Sequence, residues 1–217
     1  MLAKQPRVIA RYAARVGLKG ADATRGPAVS LGPRIRAERL AANISLRELA
    51  RRIEVSASLL SQIERGLAQP SVSTLWAVVA ALDFSLDSLF DPPVEPGGTR
   101  RESSPTRLLR ATDRRVIELD GHVRWERLTP SSDPDVVFAF VTYEPHQPSE
   151  AVRPAATHRG REYGYLVSGR LVIEADGTEY RLGRGDSIVL DSQVPHRFRA
   201  IGRSPARAVW WNLDSPR

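Results

Sequence analysis

The chain has 217 residues and no cysteine. Thiol nucleophiles, disulfides and cysteine-based zinc sites are thereby excluded. Histidine occurs 4 times, and two histidines with one carboxylate can form a facial triad for Fe(II) or a similar metal. A different chemistry is written at Ser45-Leu-Arg-Glu48. A serine three residues ahead of a glutamate forms a capping box. The hydroxyl accepts from the amide at Glu48, and the carboxylate reaches back to the amide of Ser45.

The formal net charge is +7, and it is unevenly spread. Residues 1–32 carry six basic residues and one acid, and 92–115 carry six and three. Residues 33–91 balance seven against seven, and 116–217 carry 13 against 14. The positive charge therefore flanks 33–91, as suits an arm and a linker running near a polyanion, although a solvated basic tail explains charge alone equally well. No apolar run approaches the ~18 residues that span a bilayer. The first residues, MLAKQPRVIARYAARVG, lack an apolar core with a small-residue cleavage site. A cytoplasmic protein without a membrane partner is expected.

These residues fall into organised stretches. Residues 1–32 read as a basic, disordered arm with a short helix at 6–16. From Pro33 to Asp91 the period is helical, in five short pieces. Ser45, Ser56, Ser71 and Ser85 are each placed to cap a helix, and Gly66 to stop one. Residues 92–106, rich in proline and glycine, read as a linker. From 107 to 217 the period is two. VIEL, HVRWERL, VVFAFVTY, YGYLVSG, RLVIEA, TEYRL, SIVLD, HRFRAI and AVWWNL are nine strand candidates, which suggests a sandwich or barrel. Asp176-Gly177 between two of them signals a tight hairpin, because both turn positions need positive φ.

Two helices joined by a short turn, with Ala50 against it, follow the helix-turn-helix plan. The stretch ISLRELARRIEVSASLLSQIERGLAQPSVSTLWAVVAAL resembles the Xre, or phage-repressor, family. That resemblance implies a DNA-binding domain over 33–91 with 57–65 as recognition helix. It implies base contacts from Ala57, Ser58 and Gln62. Glutamine suits adenine, and an alanine methyl suits thymine. Ser45, Leu46 and Arg47 would meet phosphate at a helix N-terminus. Ser56, Ser61 and Arg65 complete the expected DNA-facing set, although Ser56 also serves as a cap. Arg39 and Glu64 fall where related repressors form an ion pair that holds the fold.

A second resemblance is carried by HRGREYGYLVSGRLVIEADGTEYRLGRGDSIVLDSQVPHRFRAIG, which is similar to the paired motifs of the cupin family. It covers 107–213 and implies an antiparallel β-barrel for sensing and dimerisation. The overall expectation is a multidomain α plus β chain, a five-helix domain followed by a cupin barrel. The implied ligand set is His158, Glu162 and His196. The family's first histidine is replaced by Ala156 and its usual asparagine by Ala200. Two alternatives stay open for the barrel: one divalent transition metal, or a metal-free polar pocket for a small-molecule effector. Tyr163 and Tyr165 join the ligand-binding candidates. Tyr143, Phe138, Phe140, Phe198, Trp210 and Trp211 are further wall candidates, of which alternation admits about half.

The combined resemblance implies a homodimeric transcription regulator that binds a double-stranded operator and is not an enzyme. The competing reading is a mononuclear-iron cupin oxygenase or epoxidase carrying a helix-turn-helix domain, with the same triad holding iron.

Overall fold

The computed structural model describes residues 26–91, 108–133, 135–145 and 155–213. The expected helix at 6–16 and the linker at 92–106 lie outside the described residues.

Among the described residues four α-helices come first: α1 (Leu31–Ala41), α2 (Leu46–Arg52), α3 (Ala57–Glu64) and α4 (Val72–Leu82). Three begin at the serines the sequence marks. Ser45 Oγ accepts from Glu48 N at 3.1 Å, Ser56 Oγ from Leu59 N at 3.0 Å, and Ser71 Oγ from Thr74 N at 3.1 Å. The box at Ser45 is half-made, because the Glu48 carboxylate turns to Arg51 and Arg52 instead. The expected fifth helix is a 3₁₀ turn over Leu86–Phe90. Its bonds span three residues, Ser88 N to Ser85 O and Asp91 N to Ser88 O, and five residues are too few for an α-helical ladder. Ser85 does not cap it, and its hydroxyl donates to Asp133 O at 3.3 Å.

Helices of 7 and 8 residues do not persist in water by propensity. A cap contributes about 1 kcal/mol. Burying one leucine-sized side chain contributes ~1.5–3 kcal/mol. Ile35, Leu49, Leu60, Leu75 and Leu89 are fully buried, so packing and not capping decides.

Nine strands follow among the described residues: β1 (Val116–Leu119), β2 (Val123–Arg127), β3 (Val136–Tyr143), β4 (Arg161–Ser168), β5 (Leu171–Ala175), β6 (Thr178–Leu182), β7 (Ser187–Asp191), β8 (His196–Ala200) and β9 (Ala206–Leu213). They form a six-stranded sheet, β1-β2-β3-β9-β4-β7, and a three-stranded sheet, β6-β5-β8. All pairs of these strands are antiparallel. The β5–β6 hairpin turns at Asp176 (φ 50°) and Gly177 (φ 71°). The interior is filled by alternate residues of both sheets: Val137, Ala139, Val141 and Tyr143 on β3, Leu171 and Ile173 on β5, and Ala206, Ala208 and Trp210 on β9.

The two parts are joined by more than sequence. Residues 26–32, expected in the disordered arm, are ordered. Val29 N donates to Val116 O at 2.8 Å, Val116 N donates to Pro27 O at 3.2 Å, and Leu31 opens α1. Arg127 of β2 reaches the 3₁₀ turn, with Nη1 2.8 Å from Asp91 Oδ1 and 3.7 Å from Asp87 Oδ2. Arg115 Nη1 donates to Phe90 O at 3.0 Å. One cluster of buried side chains runs through both parts.

Candidate functional site

Two surfaces answer to the expected chemistry. The first is the outer face of α3. Leu60 and Ile63 point into the core, fixing the helix's rotation. Ser58 and Arg65 are left exposed and Gln62 is left on the same side, with Ser56 at the N-terminus. Positions 58, 62 and 65 share one face by helical spacing. Ser45 and Arg47 lie at the start of α2, with Leu46 beside them. Ala57 packs against the core, and Ser61 is half-buried. Arg65 Nε bonds back to Ser61 O at 3.2 Å, closing the end of α3.

Beneath this face lies the Arg39–Glu64 pair. Arg39 Nε and Nη2 meet the two carboxylate oxygens at 2.6 and 2.8 Å. Arg39 Nη1 also donates to Ile44 O at 3.0 Å. The fork ties α1, the α1–α2 turn and α3 into one unit.

The second site is inside the barrel. Glu162 points inward from β4 and His196 from β8, while His158 sits on the segment before β4. Their side chains are 5, 1 and 3% exposed. His158 Nε2 lies 2.5 Å and His196 Nε2 3.2 Å from the same oxygen, Glu162 Oε1. Each Nδ1 faces a backbone oxygen: Arg159 O at 3.0 Å for His158, Val194 O at 2.8 Å for His196. A carbonyl only accepts, so each Nδ1 carries a proton. Both Nε2 atoms then address a carboxylate, and something positive must lie between: protons on the imidazoles, or one metal ion. Backbone bonds of this kind orient histidine ligands in metal sites. The potential ligand atoms lie within 4.8 Å of one another, compatible with metal–ligand bonds of ~2.0–2.2 Å. Burial opposes ionisation of Glu162, but the two histidines outweigh it and hold the carboxyl down at about 2. Burial also opposes charge on His196, yet the Glu162 hydrogen bond and charge push its pKa up.

Comparison with known proteins agrees with both halves. The helix-turn-helix family matches residues 35–89, and the cupin domain family matches residues 139–212. The chain joins an Xre-like helix-turn-helix domain to a cupin domain. It is similar to the HTH-type transcriptional regulator PuuR of Escherichia coli (strain K12), 26% identical over 82% of this chain and 91% of that protein. Its fold is similar to the crystal structure of an HTH_3 family transcriptional regulator from Vibrio cholerae, with TM-score 0.59, 22% identity and coverage of 87% of this chain and 97% of the other. Hydroxypropylphosphonic acid epoxidase from S. wedmorenis is a distant structural match, TM-score 0.46 and 18% identity over 85% of this chain and 97% of the other. At that distance it carries no functional argument.

In the cupin domain, Tyr163 and Tyr165 do not join the triad. They are 38 and 49% exposed. Glu162, Gly164 and Leu166 face inward, so period-two alternation sends 163 and 165 outward. Of the other aromatics, Tyr143, Phe198 and Trp210 line the interior, while Phe138 stacks with exposed Trp211 on the outside at 4.2 Å. Gly164 makes room for Trp210, because a Cβ there would lie 2.5 Å from the indole ring. Burial pushes the Tyr143 hydroxyl well above its usual pKa, and the Glu162 charge adds to that, so it stays neutral.

Two site residues lay outside the sequence expectations. Trp76 of α4 stacks on His158, and Asn212 of β9 sits opposite Glu162 in the register. A signal for Trp76 was present. In VSTLWAVVAAL apolar residues occupy more than one helical face, and such a helix must be covered on two sides.

Proposed function

We propose that the chain is a homodimeric, sequence-specific DNA-binding transcription regulator whose cupin domain senses a small-molecule effector, and that it acts in the cytoplasm without catalysis. The observation that carries this reading is the outward Ser58–Gln62–Arg65 face. It lies on a helix capped by Ser56 and buttressed by the Arg39–Glu64 fork. The cap and the fork hold the helix in place, and the exposed polar face above them has no part in chemistry inside the barrel. The similarity to regulators over most of both chains supports the same reading.

Ser45, Leu46 and Arg47 are assigned to phosphate, and Gln62 with Ser58 and Ala57 to base edges. A two-fold dimer would place two such helices about one helical turn of DNA apart. Selection from a random duplex pool should return a two-fold symmetric site. Recovery of no preferred sequence would reject the regulator reading. The competing reading is an iron oxygenase using the same triad, and catalytic oxygen uptake by iron-loaded protein that depends on an added organic substrate and a reductant would favour it.

A further inference from the structure

The lumen of the barrel beside Glu162 has little free space, about 20 Å³. Trp125, Tyr143, Phe198 and Trp210 fill it, and Trp76 covers its mouth from the helical domain. An organic effector does not fit there. A larger cavity of about 330 Å³ lies just outside, between the two domains. One wall is helical: Trp76, Val79, Ala80 and Phe84. The other is the cupin mouth, including Val137, His158 and Asn212. Its volume falls within the ~300–1,000 Å³ of small-molecule sites.

We infer that the effector binds in this interdomain cleft and not in the barrel lumen, and that Trp76 reports its presence to the DNA-binding domain. The inference rests on the regulator reading given above. Three observations support it. Trp76 belongs to α4 and lies flat on His158, with ring centroids 3.6 Å apart and planes 10° apart. It also approaches Trp125 edge-on at 6.5 Å. A ligand entering between α4 and the cupin mouth must therefore share or displace that stack. Second, Asn212 Oδ1 is buried with no hydrogen-bond partner among the described residues. A buried amide oxygen left unpaired is unfavourable, so an incoming donor is favoured there. Third, the cleft surface is mainly apolar, through Val79, Phe84, Leu86 and Val137, with Asp83, Asp135 and Arg159 also on its wall.

The ligand class follows: a small, planar or compact apolar body bearing an N–H or O–H donor. The apolar body lies along α4 and the donor meets Asn212. Leu75 of α4 and Leu60 of α3 belong to one buried cluster. Helix α4 packs on α1 and α2, which pack in turn on α3, so a shift of α4 is passed through them to the reading helix.

The absence of native cysteine makes a direct test available. Ala80→Cys places a single thiol on the exposed cleft wall. Benzyl methanethiosulfonate then attaches a planar apolar group there. Two readouts apply to the full chain: affinity for the selected duplex, and amide exchange along residues 115–127, where the cupin strands meet the helical domain. At least a tenfold change in affinity and faster exchange are expected. The same group on Thr178→Cys, at the exposed start of β6 in the smaller sheet, should change neither. Fully modified Ala80→Cys protein with both readouts unchanged overturns the cleft. If no duplex is ever selected, the regulator reading fails by itself, and the exchange readout still decides the cleft. A response that persists when Trp76→Leu is added removes Trp76 as the reporter.

Discussion

Trp76 and His158 come from different domains, yet their rings are stacked 3.6 Å apart. One edge of the same imidazole faces Glu162. The helical domain therefore touches the buried triad through this indole.

The reading face offers a first check. Gln62→Ala should lose roughly 1–3 kcal/mol on the selected duplex and much less on random DNA. Gln62 lies on the outer face of α3, away from Leu60 and Ile63, so the substitution should leave the melting temperature unchanged. Fluorescence anisotropy on both duplexes measures the difference. Equal losses on both would assign Gln62 to the phosphate backbone.

The triad should take up one divalent transition metal per chain. His158, Glu162 and His196 present converging ligand atoms whose ring orientations are already fixed. His196→Ala should abolish uptake, because two ligands from one segment do not close the site. Elemental analysis after dialysis against Fe(II), Co(II) or Zn(II) reads the stoichiometry. Uptake that survives in His196→Ala would place the metal elsewhere and leave the triad as a proton-bridged pocket.

The Arg39–Glu64 fork separates structure from recognition. Both side chains are buried, at 8 and 4% exposure. Glu64→Ala strands the guanidinium and should cost ~3–5 kcal/mol, whereas Arg39→Met with Glu64→Leu should be near neutral. Urea unfolding gives both values. Near-equal losses in the single and double variants would show that the pair contributes net stability as well as register.

Much of this was legible in the sequence, for reasons that also explain the failures. VVFAFVTY, TEYRL and SIVLD are strands with the boundaries the period of two marks. Alternation along a strand is local, and burial on one face enforces it. Ser45, Ser56 and Ser71 cap helices because a side chain three residues from an amide is a local relation too. Parity alone could have excluded Tyr163 and Tyr165 once Glu162 was taken as inward. The Trp76–His158 stack was not legible. Its partners lie 82 positions apart, and periodicity says which face of α4 is apolar without saying what covers it. The order of residues 26–32 depends likewise on a distant partner, Val116.

The outer face of the six-stranded sheet carries the dimer prediction. Phe138, Trp211, Tyr163 and Val189 lie side by side across β3, β9, β4 and β7. Trp211 and Val189 are 42 and 58% exposed. An aromatic row of this kind on one sheet marks an association surface. Trp211→Glu should shift the protein from dimer to monomer at micromolar concentration in ultracentrifugation, with circular dichroism unchanged. A dimer that persists would move the interface to the helices.

The joint between the domains should be pH-dependent, and Asp87 is the cause. It sits in the 3₁₀ turn and is fully buried. Burial pushes its carboxyl up to about 6, against the opposing hydrogen bond from Asp133 N at 2.9 Å and the Arg127 charge. The neighbouring Asp91 and Asp133 carboxylates push the same way as burial. Arg127 is the cation that opposes them, and its Nη1 lies nearer to Asp91 than to Asp87. The folded pKa is thus above the unfolded one of about 3.8. The folded state then holds the proton more tightly, so this contribution is full below pH ~4 and is lost as pH rises through 6. A shift of this size corresponds to roughly 3 kcal/mol at ~1.36 kcal/mol per unit. Glu162 contributes with the opposite sign, its stabilisation being lost as pH falls from about 4.5 toward 2. His196, with its raised pKa, stabilises the fold at low pH, and that contribution is lost as pH rises above the usual histidine range. Subtracting the Asp87→Asn variant from wild type cancels both. The difference in urea midpoint between the two proteins should change steadily from pH 4 to pH 6 and level off above it. A difference that stays flat across that window would mean that Asp87 is ionised throughout and that Arg127 serves it as fully as it serves Asp91.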